Sequence, residues 1–137
     1  MEYMAEAVQE DGMRFVVSTG PHSLTTDYPL DPHASGAGPR PLQLLLGSLA
    51  SCAGGSLIAL LRRAGQPIEG LRVKARGQRR AEHPTVFTEI ALEFVVRGSV
   101  DPAVVAGAIE QSEAHICPVW AMLKPTTPIS SSFRIEG

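Results

Sequence analysis

Cysteine is scarce in this chain: Cys52 and Cys117 are the only two among 137 residues. Two thiols are too few for a disulfide-stapled secreted scaffold, and neither belongs to a CxxC pair with zinc spacing. A surplus of positive charge is also missing. Lys and Arg total 12 against 14 Asp and Glu, a net charge of −2, which argues against a nucleic-acid partner. The opening residues MEYMAEAVQEDG are acidic and hold no apolar run, so no signal peptide is expected and the chain reads as cytoplasmic. No internal repeat or low-complexity tract occurs. Hydrophobic residues make up 44% and charged residues 19%, enough for a packed core and too apolar for a disordered chain. The length fits a single domain over 1–137.

The first part of the chain, about 2–28, reads as strands. Glu10-Asp11-Gly12 is a turn signal between Tyr3–Gln9 and Met13–Ser18, Gly20-Pro21 breaks the chain again, and Ser23–Tyr28 suits a third strand. PLDPHASGAGPRP, from Pro29 to Pro41, is a long loop of the kind that often carries function.

Pro41 then suits the first turn of a helix over about 41–64, which Gly65-Gln66-Pro67 stops. Leu42 to Leu61 contains no charge and is long enough to span a bilayer. Gln43, Ser48, Ser51, Ser56, Gly47, Gly54 and Gly55 dilute its hydrophobicity, and alternating segments elsewhere fit a single span poorly. The expectation is a central buried helix with little exposed face and no membrane. Its glycines make sense where another element or a ligand approaches closely.

A hairpin over about 70–97 follows. Leu71, Val73 and Ala75 alternate with Arg72, Lys74 and Arg76, and Ile90, Leu92, Phe94 and Val96 alternate with Glu89, Ala91, Glu93 and Val95. A tip at Ala81-Glu82-His83-Pro84 pairs Arg76 with Glu89 and Arg72 with Glu93. Asp101 caps a broken helix over about 102–124 with Pro102 at its first position. Val105, Ile109, Ser112 and Ile116 mark its inner stripe, Pro118 interrupts it, and a last strand covers about 130–135. The fold class is α+β.

Cys52 sits among Ala50, Ser51, Ala53, Gly54 and Gly55. It reads either as a small buried hydrophobe or as a thiol with space around it. Cys117 falls at the break before Pro118, where an N-cap sulfur faces free N–H groups and the positive end of the helix dipole, an arrangement that favours thiolate. His115 is near in sequence, most simply as an ordinary surface or core histidine. A metal site built from Cys52, Cys117 and a histidine is a further reading.

GPRPLQLLLGSLASCAGGSLIALLRRAG, residues 38–65, resembles the first signature of the OsmC/Ohr family, a Gly-Pro-x-Pro entry and a helix carrying a cysteine. AIEQSEAHICPVWAML, residues 108–123, resembles the second, with its Cys-Pro step; HPTVFTEIALEFVV and the element order match as well. The resemblance implies an intertwined homodimer, with antiparallel sheets wrapped around long central cysteine-bearing helices. It implies reduction of an organic hydroperoxide, Cys52 attacking and Cys117 resolving to a disulfide that an external dithiol reductant reopens, with no bound cofactor and no metal. Sulfenic acids do condense with a neighbouring thiol. Peroxidase members carry a glutamate just after the helix-opening proline, paired with an arginine; here Leu42 and Gln43 stand there, and Arg14 and Arg40 are the arginines available. The alternative is a divergent member without efficient peroxidase activity that binds an apolar or electrophilic small molecule at the dimer interface.

Overall fold

In the computed structural model, which describes residues 1–137, the chain follows the α+β order expected from its punctuation. The elements are β1 (Glu6–Asp11), β2 (Arg14–Thr19), β3 (His22–Thr26), α1 (Pro41–Arg63), β4 (Ile68–Arg79), β5 (Phe87–Gly98), α2 (Pro102–Gln111), a π-turn (Ser112–Ile116), α3 (Pro118–Leu123) and β6 (Ile129–Glu136). They form two compact units, Met1–Leu45 and Leu46–Gly137.

In the first unit β1, β2 and β3 make an antiparallel sheet in that order. Its two-residue turns, Gly12-Met13 and Gly20-Pro21, both open on a glycine with φ 57°, the left-handed region that side chains avoid. The long loop after β3 is tied down by Asp27. Its carboxylate accepts the Ala37 N–H at 2.9 Å, and its own N–H donates to the Pro39 carbonyl at 3.1 Å. The Ala37 N–H, with Tyr28 N–H and Arg14 behind it, holds the Asp27 carboxyl below the usual carboxylate range.

Pro41 opens α1 as expected, and the cap is one residue earlier. Arg40 gives its carbonyl to the Leu44 N–H at 3.0 Å, and the Gln43 Oε1 reaches back to the Arg40 N–H at 2.9 Å. This is the returning half of a capping box. Gln43 therefore serves the helix end.

In the second unit Leu49, Ala53, Leu57 and Leu61 form the inner stripe of α1. They are fully buried in one core with Ile90, Leu92, Phe94 and Val96 of β5, Val105 and Ile109 of α2, and Trp120 of α3. Each such leucine contributes about 1.5–3 kcal/mol by leaving water. Trp120 stacks on Phe94 with ring centroids 6.4 Å apart. A Cβ on Gly54 would lie 3.0 Å from the Val73 side chain, so α1 approaches β4 as closely as it does only through glycine. The opposite side of α1, including Gly47, Ser48, Ser51, Gly55 and Ala59, is exposed. The helix is long and apolar enough to cross a membrane by length and composition, but a single chain covers one side of it and does not enclose it as expected.

The second sheet, ordered β4-β5-β6, departs from the expected pattern in two ways. Lys74 faces Glu93, Arg76 faces Ala91 and Gln78 faces Glu89, so the pairs Arg76–Glu89 and Arg72–Glu93 do not form. The cause is the tip, displaced toward β5. Arg80 N–H bonds the Val86 carbonyl, and the Arg80 guanidinium binds the carbonyls of Glu82, His83 and Pro84 at 2.7–3.2 Å. A two-residue displacement keeps each side chain on its face, which is why the alternation remained informative. The second departure is that β6 runs parallel to β5. Residues 99–128 carry α2, the π-turn and α3 back along the sheet, the crossover that parallel neighbours require.

Candidate functional site

Cys52 lies in the middle of α1, half-buried against the core. Cys117 is 1% exposed. Between α2 and α3 the backbone makes a π-turn: the Cys117 N–H donates to the Ser112 carbonyl five residues back, at 2.8 Å. Continuous α-helix would put Ile116 on the inner stripe. The extra residue of the π-turn rotates the chain, leaving Ile116 47% exposed and turning Cys117 inward. Pro118 then starts α3, and Cys117 occupies its N-cap with extended backbone, its Sγ accepting the Trp120 N–H at 3.4 Å.

The fold brings the two thiols side by side, close enough for Cys52 to count among the groups that hold the proton on Cys117. Both are free. The N-cap position of Cys117 agrees with the sequence reading, but the expected drift toward thiolate does not. Burial pushes the Cys117 thiol from 9.0 up to about 11. The hydrogen bond with Cys52 and the charge of an ionised Cys52 act in the same direction, while the N–H groups of Trp120 and Val119 oppose them. Desolvation outweighs the helix terminus. Cys117 is therefore protonated at neutral pH, beside a more accessible partner.

A second contact joins the same elements. Ser112 is fully buried, and its hydroxyl lies 2.6 Å from that of Ser56, one turn after Cys52 on α1. Sequence patterning marks Ser112 only as part of a core stripe and gives Ser56 no role; a serine on an apolar stripe was the available signal.

The two arginines considered as cationic partners have other contacts. Arg14 lies 3.5 Å from the Glu10 carboxylate and 3.6 Å from that of Asp27. The Arg40 guanidinium sits 5.1 Å over the Tyr28 ring. His115 is exposed on the π-turn. No group of three or more His, Cys, Asp or Glu side chains converges in a way that could hold a metal ion, so the reading of Cys52, Cys117 and a histidine as ligands finds no geometry. Beside the helix that carries Cys52, Gly47, Ala50, Ser51, Gly54, Gly55, Ile58, Leu71 and Val73 line an open, mainly apolar groove of about 450 Å³.

Comparisons with known proteins agree on the family and fold. The family model described as OsmC-like protein matches residues 33–132. Protein YhfA of Escherichia coli K12 is 29% identical over 107 residues, which cover 77% of this chain and 80% of YhfA. A hypothetical protein from Aquifex aeolicus is 26% identical with a TM-score of 0.89, over 99% of this chain and 97% of that one. An organic hydroperoxide resistance protein from Elizabethkingia anophelis shares the fold at 17% identity, with a TM-score of 0.79 over 99% and 97% of the two chains.

Proposed function

The chain belongs to the OsmC-like protein family, and from that premise we propose that it reduces organic hydroperoxides with Cys52 as the attacking thiol and Cys117 as the resolving one. The observation that carries this reading is the asymmetry of a contacting pair. Cys52 is half-buried and reachable; Cys117 is buried, protonated and beside it.

The chemistry follows. Sulfur of Cys52, as thiolate, attacks the terminal oxygen of the hydroperoxide; the O–O bond breaks, the alcohol leaves with a proton, and Cys52 becomes a sulfenic acid. Cys117 then displaces the hydroxyl as water, and an S–S bond forms. An external dithiol exchanges with that disulfide, restoring both thiols and leaving as its own disulfide. The cycle uses sulfur chemistry alone and asks for no bound cofactor. It suits a reducing compartment such as the cytoplasm. With Leu42 and Gln43 uncharged, the donor to the Cys52 thiolate in this reading is the neighbouring Cys117 S–H.

The working form is a homodimer in this reading. The uncovered face of α1 and the apolar groove beside it support a second copy against that helix. A divergent member that binds an apolar or electrophilic molecule at the interface is the second reading, favoured by the groove and by the missing glutamate.

Turnover decides between them. With dithiol in excess, the wild-type chain consumes cumene hydroperoxide and Cys52→Ser does not; without dithiol, Cys117→Ser completes one oxidation and stops at the sulfenic acid. Equal rates for wild type and Cys52→Ser would leave the binding reading.

A further inference from the structure

Between Cys52 and Cys117 runs a path of hydrogen bonds through two serines. The Ser56 hydroxyl approaches the Cys52 and Ala53 carbonyls at 3.1 and 3.0 Å, as a helical serine does one turn back. Its Oγ is also 2.6 Å from the Ser112 Oγ. A hydroxyl has one proton. With Ser56 donating to carbonyls that can only accept, Ser112 is the donor of the hydroxyl pair. The Ser112 carbonyl in turn accepts the Cys117 N–H at 2.8 Å. The bonds from the Cys52 carbonyl through Ser56 and Ser112 to the Cys117 backbone, with the side-by-side thiols, complete a ring of contacts.

This ring has a mechanical meaning. The π-turn that turns Cys117 inward begins at Ser112, and Ser112 is anchored to α1 next to Cys52. Ser112 is fully buried, so its hydroxyl cannot exchange Ser56 for water without opening the core.

We propose that Ser56 and Ser112 are positioning residues that hold the Cys117 sulfur against Cys52, and so set the effective concentration of the resolving thiol. Neither hydroxyl touches the reacting sulfur atoms in the events described. They act by fixing the backbone on both sides of the bond to be made, and positioning of this kind is where intramolecular reactions gain most of their advantage. The proposal rests on the reading of the two cysteines as a dithiol pair. Its chemistry is Cys52–SOH plus Cys117–SH giving the disulfide and water, or, at equilibrium, exchange with a glutathione buffer in which two glutathione thiols are oxidised as the protein disulfide is reduced.

The test compares wild type, Ser56→Ala, Ser112→Ala and the double variant in two measurements. One is the equilibrium of the Cys52–Cys117 disulfide in reduced and oxidised glutathione. The other is the rate of disulfide closure, separated from the rate of Cys52 oxidation, after a hydroperoxide pulse. Each single variant is expected to shift the equilibrium about five- to tenfold toward dithiol and to slow closure by a similar factor, the size of one lost hydrogen bond. Oxidation of Cys52 itself is expected to change by a smaller factor than closure. The double variant is expected to resemble the singles, because the pair acts as one link, and Ser56→Thr, which keeps the hydroxyl, is expected to retain wild-type values.

Lower thermal stability with an unchanged glutathione equilibrium overturns the proposal, since that is what a merely structural bond would give. If Ser112→Ala does not fold, half-buried Ser56 carries the same test. A wild-type chain that forms the disulfide in glutathione but not with hydroperoxide leaves the positioning role standing and removes the peroxidase reading. A wild-type chain that forms no disulfide with either oxidant overturns both.

Discussion

Cys117 lies beside Cys52 in the folded chain, and the two environments differ sharply: Cys117 is 1% exposed, Cys52 half-buried. Because the buried partner holds its proton until about pH 11, the pair has a built-in direction. The accessible sulfur meets the oxidant, and the buried one waits beside it.

Under the proposed cycle Cys117 contributes to the reactivity of Cys52 as its hydrogen-bond donor. Cys117→Ala removes the donor and is expected to slow alkylation of Cys52 by iodoacetamide at neutral pH by about tenfold, the lower range for a hydrogen bond to a charged group. Cys117→Ser restores a donor and most of the rate. Equal rates in all three proteins would mean that Cys52 is activated by something else.

Stability acquires a pH dependence at the alkaline end. The Cys117 thiol ionises near 9.0 in the unfolded chain and near 11 in the folded one. Above pH 9 the unfolded state therefore gives up its proton first, so stability falls as pH rises through that window, by on the order of 2 kcal/mol in total. Urea midpoints of the reduced chain should decline from pH 9 toward 11. Cys117→Ala should lose that part of the decline.

Gly54 tests the packing that places the site. Valine there would put a side chain against Val73, whose methyl already lies 3.0 Å from where a Cβ would stand. Gly54→Val is expected to cost about 1–3 kcal/mol through overpacking, read as a lower urea midpoint with unchanged slope. A neutral result would show that α1 and β4 can separate without penalty.

On the uncovered side of α1, Gly55 has nothing within 4 Å of an added Cβ. Gly55→Arg is thus harmless to the isolated fold but places a charge where the proposed second copy packs. Sedimentation equilibrium should find a dimer for wild type and a monomer for the variant. A wild-type monomer, or a variant that stays dimeric, removes α1 from the interface.

Much of this was legible in the residues. Pro41 and Gly65 bracket α1, Asp101-Pro102 and Cys117-Pro118 open the later helices, and period-two alternation finds β4 and β5, because capping and strand patterning are local physics. What local signals miss is long-range or depends on one extra residue. The hairpin register turned on the Arg80 guanidinium gathering the tip carbonyls. The parallel placement of β6 followed from the crossover. Ile116 and Cys117 exchanged faces because a π-turn, invisible to a 3.6-residue period, intervenes. The N-cap logic located Cys117 correctly but not its protonation, since burial was not visible in the sequence. No spacing rule could bring Cys52 to Cys117 or Ser56 to Ser112.

The most direct measurement is the free-thiol count and intact mass of the reduced protein after one equivalent of cumene hydroperoxide. Rapid loss of both thiols, with the mass of one intrachain disulfide, is the expected result. Survival of both thiols through minutes of exposure would contradict the peroxidase cycle at its first step.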